Sequence, residues 1–107
     1  MAIPEISVQE LKRRLDAGEA LQLVDVREPW ECAIVKLPAA QQIPLQQLPQ
    51  RLQELSKDGE VVAMCKSGGR SRRAAQFLQS AGFGKVANLT GGIDAWIEEI
   101  DPTLPSY

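Results

Sequence analysis

The sequence predicts an α/β domain in which a parallel sheet is covered by helices on both faces. Two observations carry that expectation. Short runs rich in valine, isoleucine and leucine alternate with stretches of helical periodicity along the whole chain, the pattern of successive βα units joined by right-handed crossovers. The chain of 107 residues, 44% hydrophobic and 24% charged, is the size and composition of one soluble domain, here residues 1–107, burying about two-thirds of its unfolded surface.

Each element has its own signal. Ser7 and Glu10 have capping-box spacing, Ile6 and Leu11 sit at the staple positions, and Val8, Leu11 and Leu15 stripe a first helix that Gly18 closes. Leu21 to Val26 reads as a buried strand whose end delivers Asp25 and Arg27. Pro29 opens a short helix containing Cys32, since at a first helical position its missing N–H costs nothing. After a connector from Val35 to Ala40, Gln42-Ile43 is a short strand cut off by Pro44. Leucines at 45, 48, 52 and 55 keep helical spacing, and Pro49 places the regular helix from Pro49 to Ser56. The six glutamines from Gln41 to Gln53 fit its solvated face. Lys57 to Glu60 is a turn. Val61 to Met64 is a strand, Arg72 to Ala81 a helix ended by Gly82, and Lys85 to Leu89 another strand. Thr90-Gly91-Gly92 turns into a last helix striped by Ile93, Trp96, Ile97 and Ile100, and Pro102 and Pro105 stop it.

Composition narrows the function. No apolar run is long enough to span a membrane, and Met1 to Glu5 has neither a basic nor an apolar leader, so the expectation is a cytoplasmic protein without a membrane partner. Two cysteines, Cys32 and Cys65, are too few for a disulfide scaffold. The sequence contains no histidine, which removes a Cys/His dyad, a Ser/His/Asp triad and any histidine-based metal site; no metal or cofactor is expected. The net charge of −2 hides an asymmetry: Val61 to Ile93 holds no acidic residue but carries Lys66, Arg70, Arg72, Arg73 and Lys85, leaving −7 for the remainder. So local a positive segment suits a small anion better than nucleic acid.

The chemistry concentrates in Cys65-Lys66-Ser67-Gly68-Gly69-Arg70-Ser71, a strand-to-helix turn with a thiol at its first position. Two glycines allow successive N–H groups to converge as an anion nest, and Ser71 is a suitable N-cap for the helix beyond. A helix N-terminus with lysine and arginine nearby can bring a thiol from ~8.5 into the range ~3.5–7.5. Cys65 is the candidate nucleophile, and Lys66, Ser67, Gly68, Gly69, Arg70 and Ser71 the anion-binding loop. Four residues separate Cys65 from Arg70, one fewer than the C-x5-R loop of cysteine-dependent phosphatases, so the loop favours one extra sulfur over a phosphoryl group. In open α/β sheets ligands sit beyond the carboxyl ends of the strands, which makes Asp25, Arg27 and Thr90 to Gly92 neighbours of the site; a structural role for Asp25 and Arg27 is preferred. Cys32 could act as a resolving thiol, but burial by packing is the simpler account.

The segments VDVREPWE (Val24 to Glu31), CKSGGRS (Cys65 to Ser71) and LQSAGFGKVANLTGGIDAW (Leu78 to Trp96) resemble the single-domain rhodanese, or thiosulfate sulfurtransferase, family across nearly the whole chain. The resemblance implies a rhodanese-like, five-stranded, mainly parallel sheet between helices, and a cysteine that cycles through a persulfide. Cys65 would take sulfur from thiosulfate or from a protein persulfide and pass it to a thiol or to cyanide. One departure stands out: where the family commonly shows Gly-His-Ile-Pro-Gly-Ala, this chain has Val35-Lys36-Leu37-Pro38-Ala39-Ala40. Two other functions share the loop: a non-catalytic rhodanese-like binding or sensing module, and a cysteine-dependent phosphatase or arsenate reductase.

Overall fold

Five strands form one sheet, every neighbouring pair parallel, in the order β1-β5-β4-β2-β3. They are β1 (Glu5–Ile6), β2 (Leu21–Asp25), β3 (Gln41–Gln42), β4 (Glu60–Met64) and β5 (Val86–Leu89). The helices between them are α1 (Val8–Asp16), α2 (Pro29–Ile34), α3 (Gly69–Ser80) and α4 (Gly92–Glu99). The computed structural model describes residues 2–107; Met1, where the reading of the N-terminal segment begins, lies outside them. Among the described residues no helix is long and apolar enough to cross a membrane.

Side-chain alternation along the strands builds two cores. Val24, Val61, Ala63 and Val86 face α3, packing with Ala74, Ala75, Leu78 and Phe83. Leu23, Val62, Met64 and Leu89 face the opposite way, against Val8, Leu11, Ile93, Trp96 and Ile97 from α1 and α4. Strand β4 lies at the middle of the sheet, and Val61 to Met64 are wholly buried. Each of its larger side chains contributes about 1.5–3 kcal/mol by leaving water. The alanines on α3 let it approach the sheet closely.

Helix ends follow the sequence where local chemistry decides them. Ser7 accepts the Glu10 amide at 3.0 Å. After α1, Gly18 takes φ +75°, its amide donates to Leu15 and that of Glu19 to Arg14, a Schellman arrangement that satisfies two terminal carbonyls. Gly82 closes α3 in the same way, with Phe83 bonded back to Leu78.

Three expectations require correction. The regular helix expected from Pro49 to Ser56 is instead two short 3-10 segments, Leu45–Gln50 and Leu52–Glu54; Pro49 sits inside the first, where its missing N–H and its ring prevent a continuous α-helical ladder from forming. Ser71 does not cap α3: Gly68, at φ +116°, is the cap, and the helix begins at Gly69. Finally, the short strand expected at Gln42-Ile43 covers Gln41–Gln42 instead, while Ile6, at the staple position before Ser7 as expected, also ends a two-residue edge strand.

Candidate active site

Because every strand is parallel, the carboxyl ends of β2, β4 and β5 open onto one edge, and Cys65 follows directly on β4. The loop from Cys65 to Gly68 is braced from behind by α4. The Ile93 amide donates to the Cys65 carbonyl at 2.9 Å and the Asp94 amide to the Lys66 carbonyl at 3.0 Å. A Cβ on Gly92 would stand 2.5 Å from the Lys66 carbonyl oxygen and against that of Cys65, so only glycine lets this helix end come so near. With its carbonyls turned to α4, the loop presents N–H groups on its other side.

Those N–H groups meet the sulfur. The Gly68 amide donates to Cys65 Sγ at 3.1 Å, and the Ser71 hydroxyl lies 3.3 Å from it. Cys65 is 1% exposed. Burial pushes the thiol up, but hydrogen bonds from the Ser71 hydroxyl and from the Ser71, Gly68 and Ser67 amides outweigh it and hold the Cys65 thiol below its ordinary value. Ser71, displaced from the cap, therefore acts from within the first turn of α3. Of the two loop glycines only Gly68 needs a positive φ; a Cβ on Gly69 would meet nothing within 4 Å.

The cations of the loop are differently employed than the sequence suggests. Lys66 Nζ pairs with Asp94 at 3.0 Å, and Arg72 with Glu5 at 3.1 Å. Arg70 makes a two-pronged pair with Glu31, at 2.7 and 2.8 Å. The acidic partners come from β1, α2 and α4, so a charge that looks uncompensated along the chain is largely balanced in space. Activation of the thiol rests first on amides and a hydroxyl, with the Arg70 charge also coupled to the sulfur.

Glu31 is the hub of the rim. Besides Arg70 it accepts the Tyr107 hydroxyl at 2.7 Å and the Glu28 amide at 2.8 Å. Arg70 draws its carboxyl down to about 2, against burial that pushes it up. The Tyr107 ring packs edge-on against Trp30, centroids 5.9 Å apart, and lies 5.0 Å from Lys66 Nζ, within cation–π range.

Asp25 and Arg27 form a buried ion pair, 2.7 Å between Nη2 and Oδ2. Arg27 also donates to the Val35 carbonyl at 2.8 Å and to the Tyr107 hydroxyl at 3.0 Å. The pair thus ties the end of β2 to the unusual connector, where Val35 and Leu37 are buried among the α1 and α4 core. Cys32 Sγ donates to Asp25 Oδ2 at 3.6 Å. Burial and the neighbouring carboxylate push its thiol up to about 11, an environment for an inert thiol. Both cysteines are free.

Four residues of this site escaped the sequence reading: Glu31, Asn88, Asp94 and Tyr107. A signal existed for Asn88, the lone polar residue within the strand Val86–Leu89, and for Glu31, three residues after Glu28 at a helix start. None existed for Tyr107, which meets Glu31 from 76 positions away.

A family model described as a rhodanese-like domain matches residues 7–99. A sulfurtransferase of Allochromatium vinosum is 44% identical over 94 residues, covering 88% of each chain. Among solved structures, a rhodanese-like domain protein of Staphylococcus aureus aligns with a TM-score of 0.85 at 30% identity, covering 98% of this chain and 99% of the other. A human single-domain sulfurtransferase aligns with a TM-score of 0.84 at 28% identity, covering 92% and 98%. On the strength of its sheet order, its Cys65 loop and these likenesses, the chain belongs to the rhodanese-like family, among domains of the sulfurtransferase type.

Proposed function

We propose that the protein moves a sulfane sulfur from thiosulfate or a protein persulfide to a thiol, or in an assay to cyanide, through a persulfide on Cys65. The observation that carries this reading is a buried thiol held by convergent amides in a loop with four residues between Cys65 and Arg70. The Cys65 thiolate attacks the outer sulfur of thiosulfate; a sulfur–sulfur bond forms, the bond to the sulfonate breaks, and sulfite leaves with the electron pair. An acceptor thiolate then attacks the outer sulfur of the Cys65 persulfide, taking it as a new persulfide and returning Cys65 to its thiolate. The scheme is ping-pong, with one covalent intermediate.

Each loop residue has work in this scheme. The amides of Ser67, Gly68 and Ser71 stabilise the thiolate before attack. The first amides of α3, at Gly69 and Arg70, lack helical partners and can receive the anionic outer sulfur, in the open space above Gly69. Lys66 and Arg70, held by Asp94 and Glu31, border the entrance and would meet the sulfonate of the donor.

Incubation with thiosulfate followed by intact mass measurement tests the proposal. The expected product carries one added sulfur, removed by cyanide and absent from Cys65→Ser. An unmodified thiol after a panel of thiosulfate and persulfide donors would leave a binding module as the reading. Hydrolysis of an aryl phosphate that is lost in Cys65→Ser would favour phosphatase chemistry instead.

A further inference from the structure

The Ser71 hydroxyl carries one proton and stands within reach of three acceptors. Asn88 Oδ1 lies at 2.5 Å, the Gly68 carbonyl at 3.2 Å and Cys65 Sγ at 3.3 Å. Ser71 is 0% exposed, and Cys65 and Asn88 are each 1% exposed. The orientation of the Asn88 amide is settled by its other end. Its Nδ2 donates to the Gly68 carbonyl at 3.2 Å and faces both Glu5 carboxylate oxygens at 3.2 and 3.3 Å. All three are acceptors only, so Oδ1 must point at Ser71.

The three contacts cannot all be hydrogen bonds at once. While Cys65 is a thiol, its S–H can donate to Ser71 Oγ and the Ser71 O–H to Asn88 Oδ1, leaving every group paired. Once Sγ has lost its proton to solvent it becomes an acceptor, and the hydroxyl can turn to it only by leaving Oδ1 unpaired in the interior. A buried acceptor without a donor is costly, so the amide and the sulfur draw on the same proton.

We propose that Asn88 is a positioning residue whose Oδ1 competes with Cys65 Sγ for the single Ser71 proton, so that strand β5 sets how firmly the loop holds its thiolate. The competition has a chemical use. The nucleophilicity of a thiolate falls as it is stabilised, and a hydroxyl that is only partly available keeps the sulfur reactive. This inference concerns the thiol and its thiolate, and it stands whichever sulfur donor the protein uses. The charged groups around the triad are the pairs Arg70–Glu31 and Lys66–Asp94 on the loop side and Glu5–Arg72 behind Asn88.

The test is a double-mutant cycle read by the ultraviolet absorbance of the thiolate, in a Cys32→Ala background. Ser71→Ala should raise the Cys65 titration midpoint, weakening its acidity ~tenfold. Asn88→Ala should lower the midpoint, strengthening acidity roughly three- to tenfold, because the hydroxyl is freed for the sulfur. With Ser71 already replaced by alanine, Asn88→Ala should shift nothing. A rise on Asn88→Ala, or an equal shift in both backgrounds, overturns the proposal. If Asn88→Ala does not fold, the infrared S–H stretch at a pH where Cys65 is protonated decides. It should move to higher wavenumber on Ser71→Ala, and an unmoved band contradicts the arrangement.

Discussion

Cys65 follows directly on β4 and Cys32 lies in α2 against the end of the neighbouring β2, and the two differ in what their neighbours offer. Burial raises both thiols. Around Cys65 the nearby polar groups are donors: the Gly68 amide at 3.1 Å and the Ser71 hydroxyl at 3.3 Å. Beside Cys32 stands the Asp25 carboxylate, which accepts a proton bond and repels a negative sulfur. One thiol is therefore lowered and the other pushed up to about 11. A buried cysteine is made reactive by the polarity of the bonds that converge on it, and low exposure alone predicts nothing.

The largest effect should come from exchanging the sulfurs themselves. Cys65→Ser should lower sulfur transfer by ~10³-fold or more, since the covalent step is lost, while Cys32→Ala should leave turnover within about twofold of wild type. Steady-state assays with thiosulfate and cyanide measure both, and comparable losses in the two variants would erase the distinction.

Glu31 joins the two regions, because it sits on the Cys32 helix and holds Arg70 of the Cys65 loop. Its folded carboxyl, at about 2, lies below the ordinary 4.5, so its stabilisation is complete above pH 4.5 and is lost as the pH falls through 2. The shift corresponds to about 3 kcal/mol before allowance for the partly exposed Arg70. Urea unfolding between about pH 5 and pH 2 should show that loss of stability in wild type and a smaller one in Glu31→Gln. Identical losses would remove Glu31 from the account.

The two loop glycines divide in the same way. Gly68→Ala should cost about 1–2 kcal/mol, because alanine is strained at φ +116°, and it should raise the Cys65 midpoint by disturbing the amide that donates to it. Gly69→Ala, with no neighbour for its Cβ, should change stability by less than about 1 kcal/mol. Chemical denaturation of both variants makes the comparison. The smallest effect is expected of Tyr107→Phe, which removes a hydroxyl shared by Glu31 and Arg27 at about 1 kcal/mol.

How far the sequence discloses this molecule depends on the range of the forces involved. Ser7, Gly18 and Gly82 act within a turn or two of chain, and their roles could be read directly. The buried strands could be read as well, since Val61 to Met64 has no polar residue. Strand β1 is two residues long and gains its place only by pairing with β5, so no local pattern marks it. Ser71 resembles a cap in sequence, yet the positive φ open to Gly68 starts the helix earlier and frees the hydroxyl for the sulfur. The cysteine and its loop were legible, whereas the carboxylates that neutralise Lys66 and Arg70 arrive from 28 and 39 residues away. Only the folded sheet brings them together.

The most direct test of the account is a titration of thiolate absorbance in wild type, Cys32→Ala and Cys65→Ala. One thiolate should form below 9.0, the ordinary value. It should persist in Cys32→Ala and vanish in Cys65→Ala, leaving Cys32 protonated until near 11. A wild-type protein whose first thiolate forms only above 9.0, or a low-pH thiolate that survives Cys65→Ala, would contradict the claim that convergent donors activate Cys65.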